Sequence, residues 1–150
     1  MNFRAGKFVD ETERIAKAVR KAGYFALRKF GFLVRAKAQS EIREEEGPSP
    51  AGSPPHTHKH VTTKSGKEGK KGLLPAAILY AIEKDPARVI IGPSVNVVGT
   101  VGAAFEHSGT TDFRGREYPD RAFMGPALDA EDGHLPGLLA TEMERVGAEN

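Results

Sequence analysis

The stretch Asp10–Glu46, "DETERIAKAVRKAGYFALRKFGFLVRAKAQSEIREEE", decides how the rest of the chain is arranged. At 100° per residue, with Arg14 at zero, Ile15, Val19, Ala22, Ala26, Phe30, Leu33 and Val34 fall between roughly 80° and 200°, and Ala36 is counted with this apolar stripe although it lies near roughly 40°. On the same wheel Arg14, Lys17, Arg20, Lys21, Arg28, Lys29 and Arg35 fall between roughly 240° and 60°. One face is apolar and the opposite face is basic, with no acid between Arg14 and Ser40. Phe25 lies at the edge of the basic face. The pattern predicts a single long helix over 10–46, spanning roughly 55 Å. Asp10 followed by Glu13 has the form of a capping box, and Gly47-Pro48 is a stop signal. Gly23 and Gly31 each weaken the helix by about 1 kcal/mol relative to Ala, so a bend or break is expected near one of them.

Outward from this helix the composition changes. Residues 47–72, "GPSPAGSPPHTHKHVTTKSGKEGKKG", hold one large apolar residue, Val61, and five lysines. Such a segment has nothing with which to build a core, so it is expected to be a long extended, flexible loop. Next, Ile78, Tyr80 and Ile82 alternate with Leu79 and Ala81. Turn residues Glu83–Pro86 and the β-branched run Arg88–Ile91 follow, closed by Gly92-Pro93. This is the pattern of a β-hairpin, with a short helix over Ala76–Lys84 as the rival. Val101–His107 fits a short helix. After a loop or irregular strand over 110–122, residues from Phe123 on resume helical spacing, interrupted at Gly133 and Pro136. Pro126 suits a first turn. The expected fold is α+β in one domain, 1–150: a long amphipathic helix (10–46) on a small antiparallel sheet, a loop insertion (47–72), then hairpin, short helix and C-terminal helix (73–150).

Bulk properties exclude several classes of function. Cysteine is absent, which removes disulfides and thiolate metal sites. The N-terminal residues lack a signal-peptide apolar region, and no run approaches the roughly 18 apolar residues of a membrane span. A soluble chain with no membrane partner is expected. The net charge of +2 conceals polarity: residues 1–46 carry 11 basic against 7 acidic side chains, and residues 73–150 carry 6 against 12. That polarity suits a polyanion, and equally suits head-to-tail contact between copies of the chain.

Three of the five histidines, His56, His58 and His60, alternate in "SPPHTHKH". In an extended segment they share a face and form a candidate metal site. The surrounding lysines oppose a cation, and the frame lacks the rigidity a metal centre needs. Glu106-His107 and the group Asp129, Glu131, Asp132, His134 supply acid–base candidates, with helix capping and a solvated helix start as the plainer reading. No phosphate loop, dinucleotide fingerprint or nucleophile elbow is present. No catalytic residue and no cofactor is therefore assigned. The basic helix face leaves nucleic-acid binding open, although no named motif accompanies it.

Several segments in order resemble a known family. The helix leads into "GPSPAGSPPHTH", and an apolar segment leads into "VIIGPS". Then come "AAFEHSGT" and "EYPDRAFMGPAL". This succession, over roughly residues 35–146, is similar to tailed-phage neck or tail-completion proteins of the head–tail junction. Pro119, Arg121, Phe123, Met124, Pro126, Ala127 and Leu128 match that family's last element. Ala122 stands where a proline is usual and Gly125 where an arginine is common, and Glu106–Gly109 carries one extra residue. The resemblance implies a non-enzymatic virion protein, assembled in the host cytoplasm. It would form a homo-oligomeric ring between the connector or head-completion proteins and the tail tube or tail terminator. Genomic DNA would pass nearby without being specifically bound. The residues expected at structural or interface positions are Arg28, Arg35, Pro54, Pro55, His56, His58, Glu106, Tyr118, Arg121, Phe123 and Met124. Phe123 and Met124 are expected to anchor the final helix on the sheet. Arg121 is expected to pair with an acid such as Glu106, within or across subunits. The alternatives are a basic-helix nucleic-acid binder and a histidine-metal-dependent hydrolase.

Overall fold

A computed structural model describes residues 5–47, 49–57, 61–62, 68–69, 74–106, 115, 117 and 119–149. The architecture is α+β, dominated by the helix α1, Ala5–Glu41. Its 37 residues span about 55 Å. The helix begins five residues before the expected cap: Asp10 lies inside it. A side-chain cap contributes about 1 kcal/mol, and Ala5–Val9 contain no proline to stop propagation beyond it. The helix also ends before Gly47. Ile42 turns into the core, and the next backbone groups pair with Thr57 instead of the preceding turn. Thr57 N donates to Arg43 O at 2.9 Å, and Glu45 N donates to Thr57 O at 3.0 Å.

α1 runs unbroken through both glycines. Gly31 is buried for a packing reason: a Cβ built there would lie 2.8 Å from Val89 Cγ2 and 2.9 Å from Tyr80 Cδ2. The glycine lets the hairpin approach the helix backbone. That hairpin is β3 (Ile78–Lys84) and β4 (Ala87–Pro93), antiparallel, joined through a cis Asp85–Pro86 peptide. Its register pairs Ile78 with Pro93, Tyr80 with Ile91 and Ile82 with Val89 on the α1 side. Leu79 and Ile90 fall on the outer face, about half exposed. The hairpin is preceded by the turn of helix α2 (Leu74–Ala77), shorter than the rival helix reading of Ala76–Lys84 and ending where the strand starts. Between α1 and α2 a two-residue pair, β1 (Val61–Thr62) with β2 (Glu68–Gly69), lies inside the segment expected to be without structure.

Two short helices follow, α3 (Val95–Val98) and α4 (Val101–Glu106), then α5 (Met124–Glu131), a 3-10 turn (Asp132–His134) and α6 (Leu135–Ala148). The break expected at Gly133 and Pro136 is this turn, with Pro136 in the first turn of α6. The core joins α1 (Phe30, Val34, Ala38, then Ile42), β3 (Ile78) and the start of α5 (Phe123, Ala127). Phe123 is fully buried, and Met124 packs against this cluster. The apolar stripe of α1 is correct in its middle, with Ala22, Ala26, Phe30 and Val34 buried. It is wrong at its ends: Ala36 is exposed, and Ala38 takes the buried position. Ile15 and Val19 are exposed, and Ile15 lies beside Gly147 in the last turn of α6.

Candidate interaction surface

α6 runs antiparallel along α1, and ion pairs join the two at two levels of their contact. Lys21 Nζ lies 2.6 Å from Glu149 Oε2, and Lys29 Nζ lies 2.6 Å from Glu142 Oε1. Glu142 is 1 % exposed, yet Arg145 also reaches its second oxygen at 2.8 Å. Both carboxylate oxygens are thus charge-paired, which offsets desolvation. Hydrogen bonds from Lys29 and then Arg145 hold the Glu142 carboxyl below its ordinary value. The hydrogen bond from Lys21 does the same at Glu149. The Arg145 guanidinium also sits 4.7 Å over the Phe25 ring. Part of the charge polarity between the two halves is therefore satisfied inside one chain. Arg14, Lys17, Arg20 and Arg28 keep no carboxylate partner among the described residues, and neither do Asp129, Asp132 and Glu144.

Between α6 and the hairpin the outer face of α1 remains open. Phe25, Arg28, Phe32, Leu33, Tyr80 and Leu138 line a groove of about 500 Å³ there. Of these, Phe32 is 56 % exposed and Arg28 is exposed. This groove was the feature hidden from the sequence. Phe32 sits among basic residues on the wheel, and an unexplained large aromatic on a polar face was the available signal. Arg35, placed on the same basic face, is instead half-buried and donates through Nε to Ile78 O at 2.7 Å. It ties the helix to the first residue of β3, whose carbonyl would otherwise lack a strand partner at the hairpin's open end.

The segment around His56 is held, contrary to the flexible path expected for it. Pro55 is buried and Pro54 half-buried. His56 Nε2 lies 2.6 Å from Gly47 O and so carries the donating proton. Its Nδ1 is 3.9 Å from Glu45, and its amide donates to Ser49 Oγ at 3.3 Å. A small pocket of about 260 Å³ beside it is lined by Glu41, Arg43, Pro50, Ser53 and Pro54. His56 is thus the pin of a turn closing on the end of α1. His58, His60, His107 and Tyr118 lie outside the described residues. Among the described residues no three His, Cys, Asp or Glu side chains converge to hold a metal.

Glu106 caps a helix, as its plainer reading expects, but the helix is α5 and not the short one that it ends. Its Oε1 accepts the amides of Phe123 at 2.9 Å and Met124 at 2.8 Å, and its Oε2 accepts Gly125 N at 3.3 Å. It caps α5 from the end of α4, satisfying orphan donors and meeting the positive end of the helix. Among the described residues of the chain no ion pair joins it to Arg121. Arg121 instead donates its amide to Phe105 O at 2.9 Å and lays its guanidinium 5.9 Å from the Phe105 ring centre. Arg121 Nε is buried with no hydrogen-bond partner among the described residues. Glu131 and His134 pair with each other at 2.9 Å on the surface, away from any groove described above. No helix among the described residues is long and apolar enough to cross a membrane. Comparison with protein-family models, with curated proteins and with solved structures returns no match in any of the three.

Proposed function

We propose that this chain is a structural virion protein of the tailed-phage head–tail junction, a neck or tail-completion protein that joins copies of itself into a ring. The observation that carries the reading is the set of large apolar side chains left in solvent on separate outward faces. Ile15, Phe32, Leu79, Ile90 and Val95 are each about half exposed or more. Contiguous apolar surface, such as the groove lined by Phe25, Phe32, Leu33, Tyr80 and Leu138, is what marks a partner contact. A ring closes through heterologous contacts, which need two different complementary faces on each copy. The succession of motifs that resembles the neck family supplies the biological setting, with the connector above and the tail below. The pinned Pro54–His56 turn and the capped Glu106–Phe123 junction serve as rigid mounts for the faces between them.

The test is a particle preparation made without this protein. Filled heads and complete tails that fail to join are expected, and joined virions at normal yield would contradict the reading. A second reading, nucleic-acid binding by α1, rests on the exposed Arg14, Lys17, Arg20 and Arg28. It requires duplex binding that weakens steeply with salt, and absence of binding at low salt removes it.

A further inference from the structure

We propose that the groove on α1 receives the acidic outer flank of α5–α6 from a second copy, so that copies join head to tail. The inference rests on the ring reading and adds which surfaces meet. The groove is lined by the apolar Phe32 and Tyr80 and by the basic Arg28. Between Arg14 and Ser40, α1 carries eight Lys or Arg and no acid. The segment Ala122–Glu144 is its electrostatic opposite, with five acids and no Lys or Arg.

That segment also presents apolar side chains. Leu128 is 44 % exposed, and Leu139 and Met143, one turn apart on α6, are 41 % and 40 % exposed. Asp129, Asp132 and Glu144 flank them, exposed and without an intrachain ion pair among the described residues. An apolar strip with an acidic border matches an apolar groove with a basic border.

Geometry makes the contact intermolecular. Leu138 lines the groove and Arg145 leans over Phe25 in its wall. Leu139 and Met143 lie about 100–160° away from them round α6, on the far flank. A copy therefore cannot fold this strip into its own groove. Donor and acceptor surfaces differ, so a joined pair still has one of each free, and association continues until a ring closes.

The experiment compares full-length wild type with Phe32→Asp and Met143→Lys by sedimentation velocity over rising concentration. Both positions are exposed, so unchanged thermal unfolding is expected. Arg28→Glu tests the same groove should Phe32→Asp melt differently. Each single variant is expected to associate at least tenfold more weakly than wild type. An equimolar mixture of Phe32→Asp and Met143→Lys is expected to form one-to-one dimers and nothing larger, because each retains the face the other has lost. Assembly of either variant at wild-type affinity, or a mixture that stays monomeric, overturns this interface while leaving the ring reading in place. A wild-type chain that remains monomeric into the millimolar range overturns both.

Discussion

Replacing Glu106 by Ala tests whether one carboxylate fixes the start of α5. The side chain accepts three amides 17 to 19 residues away in sequence, at 2.9, 2.8 and 3.3 Å. The Phe123 and Met124 amides are partly buried, so removing their acceptor leaves donors that water reaches poorly. Each such loss costs about 1–1.5 kcal/mol, whereas the exposed Gly125 amide is rehydrated and contributes little. Glu106→Ala is thus expected to lose about 2–3 kcal/mol, at or above the top of the range for a single cap because two partly buried donors are orphaned together. For a chain of this size that lowers the midpoint of thermal unfolding by roughly 5–10 °C. Glu106→Gln is the control. Its carbonyl oxygen retains the two short bonds and loses only the charge, a cost of about 0.3–1 kcal/mol. Circular dichroism melts of the three proteins should rank wild type, Gln, Ala. If Ala and Gln melt together, or Ala melts with wild type, the cap does not hold the helix as described.

Two glycines of α1 should respond in opposite directions. Gly31→Ala places a methyl within 2.9 Å of both Val89 and Tyr80. It should destabilise by about 1–3 kcal/mol of overpacking, less the helix-propensity gain. Gly23→Ala meets nothing within 4 Å, and should stabilise by up to about 1 kcal/mol in the same denaturant titration. Phe123→Ala, emptying a fully buried site, should cost about 3–5 kcal/mol and abolish the packing of α5 on α1. The α1–α6 network should be acid-sensitive. Glu142 and Glu149 are held below their ordinary value of 4.5, so their contribution is full above that pH. It is lost as pH falls through the depressed folded values. Glu142→Gln should be less stable at neutral pH and lose less on acidification, and an unchanged acid-unfolding profile would refute the pairing.

The elements written in periodicity were legible. The helix stripe from Ala22 to Val34 and the Ile78–Tyr80–Ile82 alternation each follow from one face meeting one core. The ends of α1 were not, because both depend on partners distant in sequence. Thr57 captures the backbone after Ile42, and Ala5–Val9 extend the helix past a plausible cap. Gly31 read as a weakness because propensity carries no information about an approaching strand. Among the site residues, Phe123 and Met124 were legible as an anchor. The role of Glu106 was not, since a carboxylate that caps a helix 18 residues downstream leaves no local pattern. The groove escaped notice because Phe32 lies on the face that charge had marked as solvent. His56 is expected at a structural position, and its Nε2–H closes a turn on Gly47 O, a contact that no spacing in the sequence indicates.

The central claim is that this chain closes on copies of itself, and the mass of the purified wild-type protein across concentration tests it most directly. The account predicts a single closed assembly whose mass is a fixed multiple of 16.2 kDa and stops growing once formed. A monomer at every concentration, or open-ended growth without a limiting mass, would contradict it.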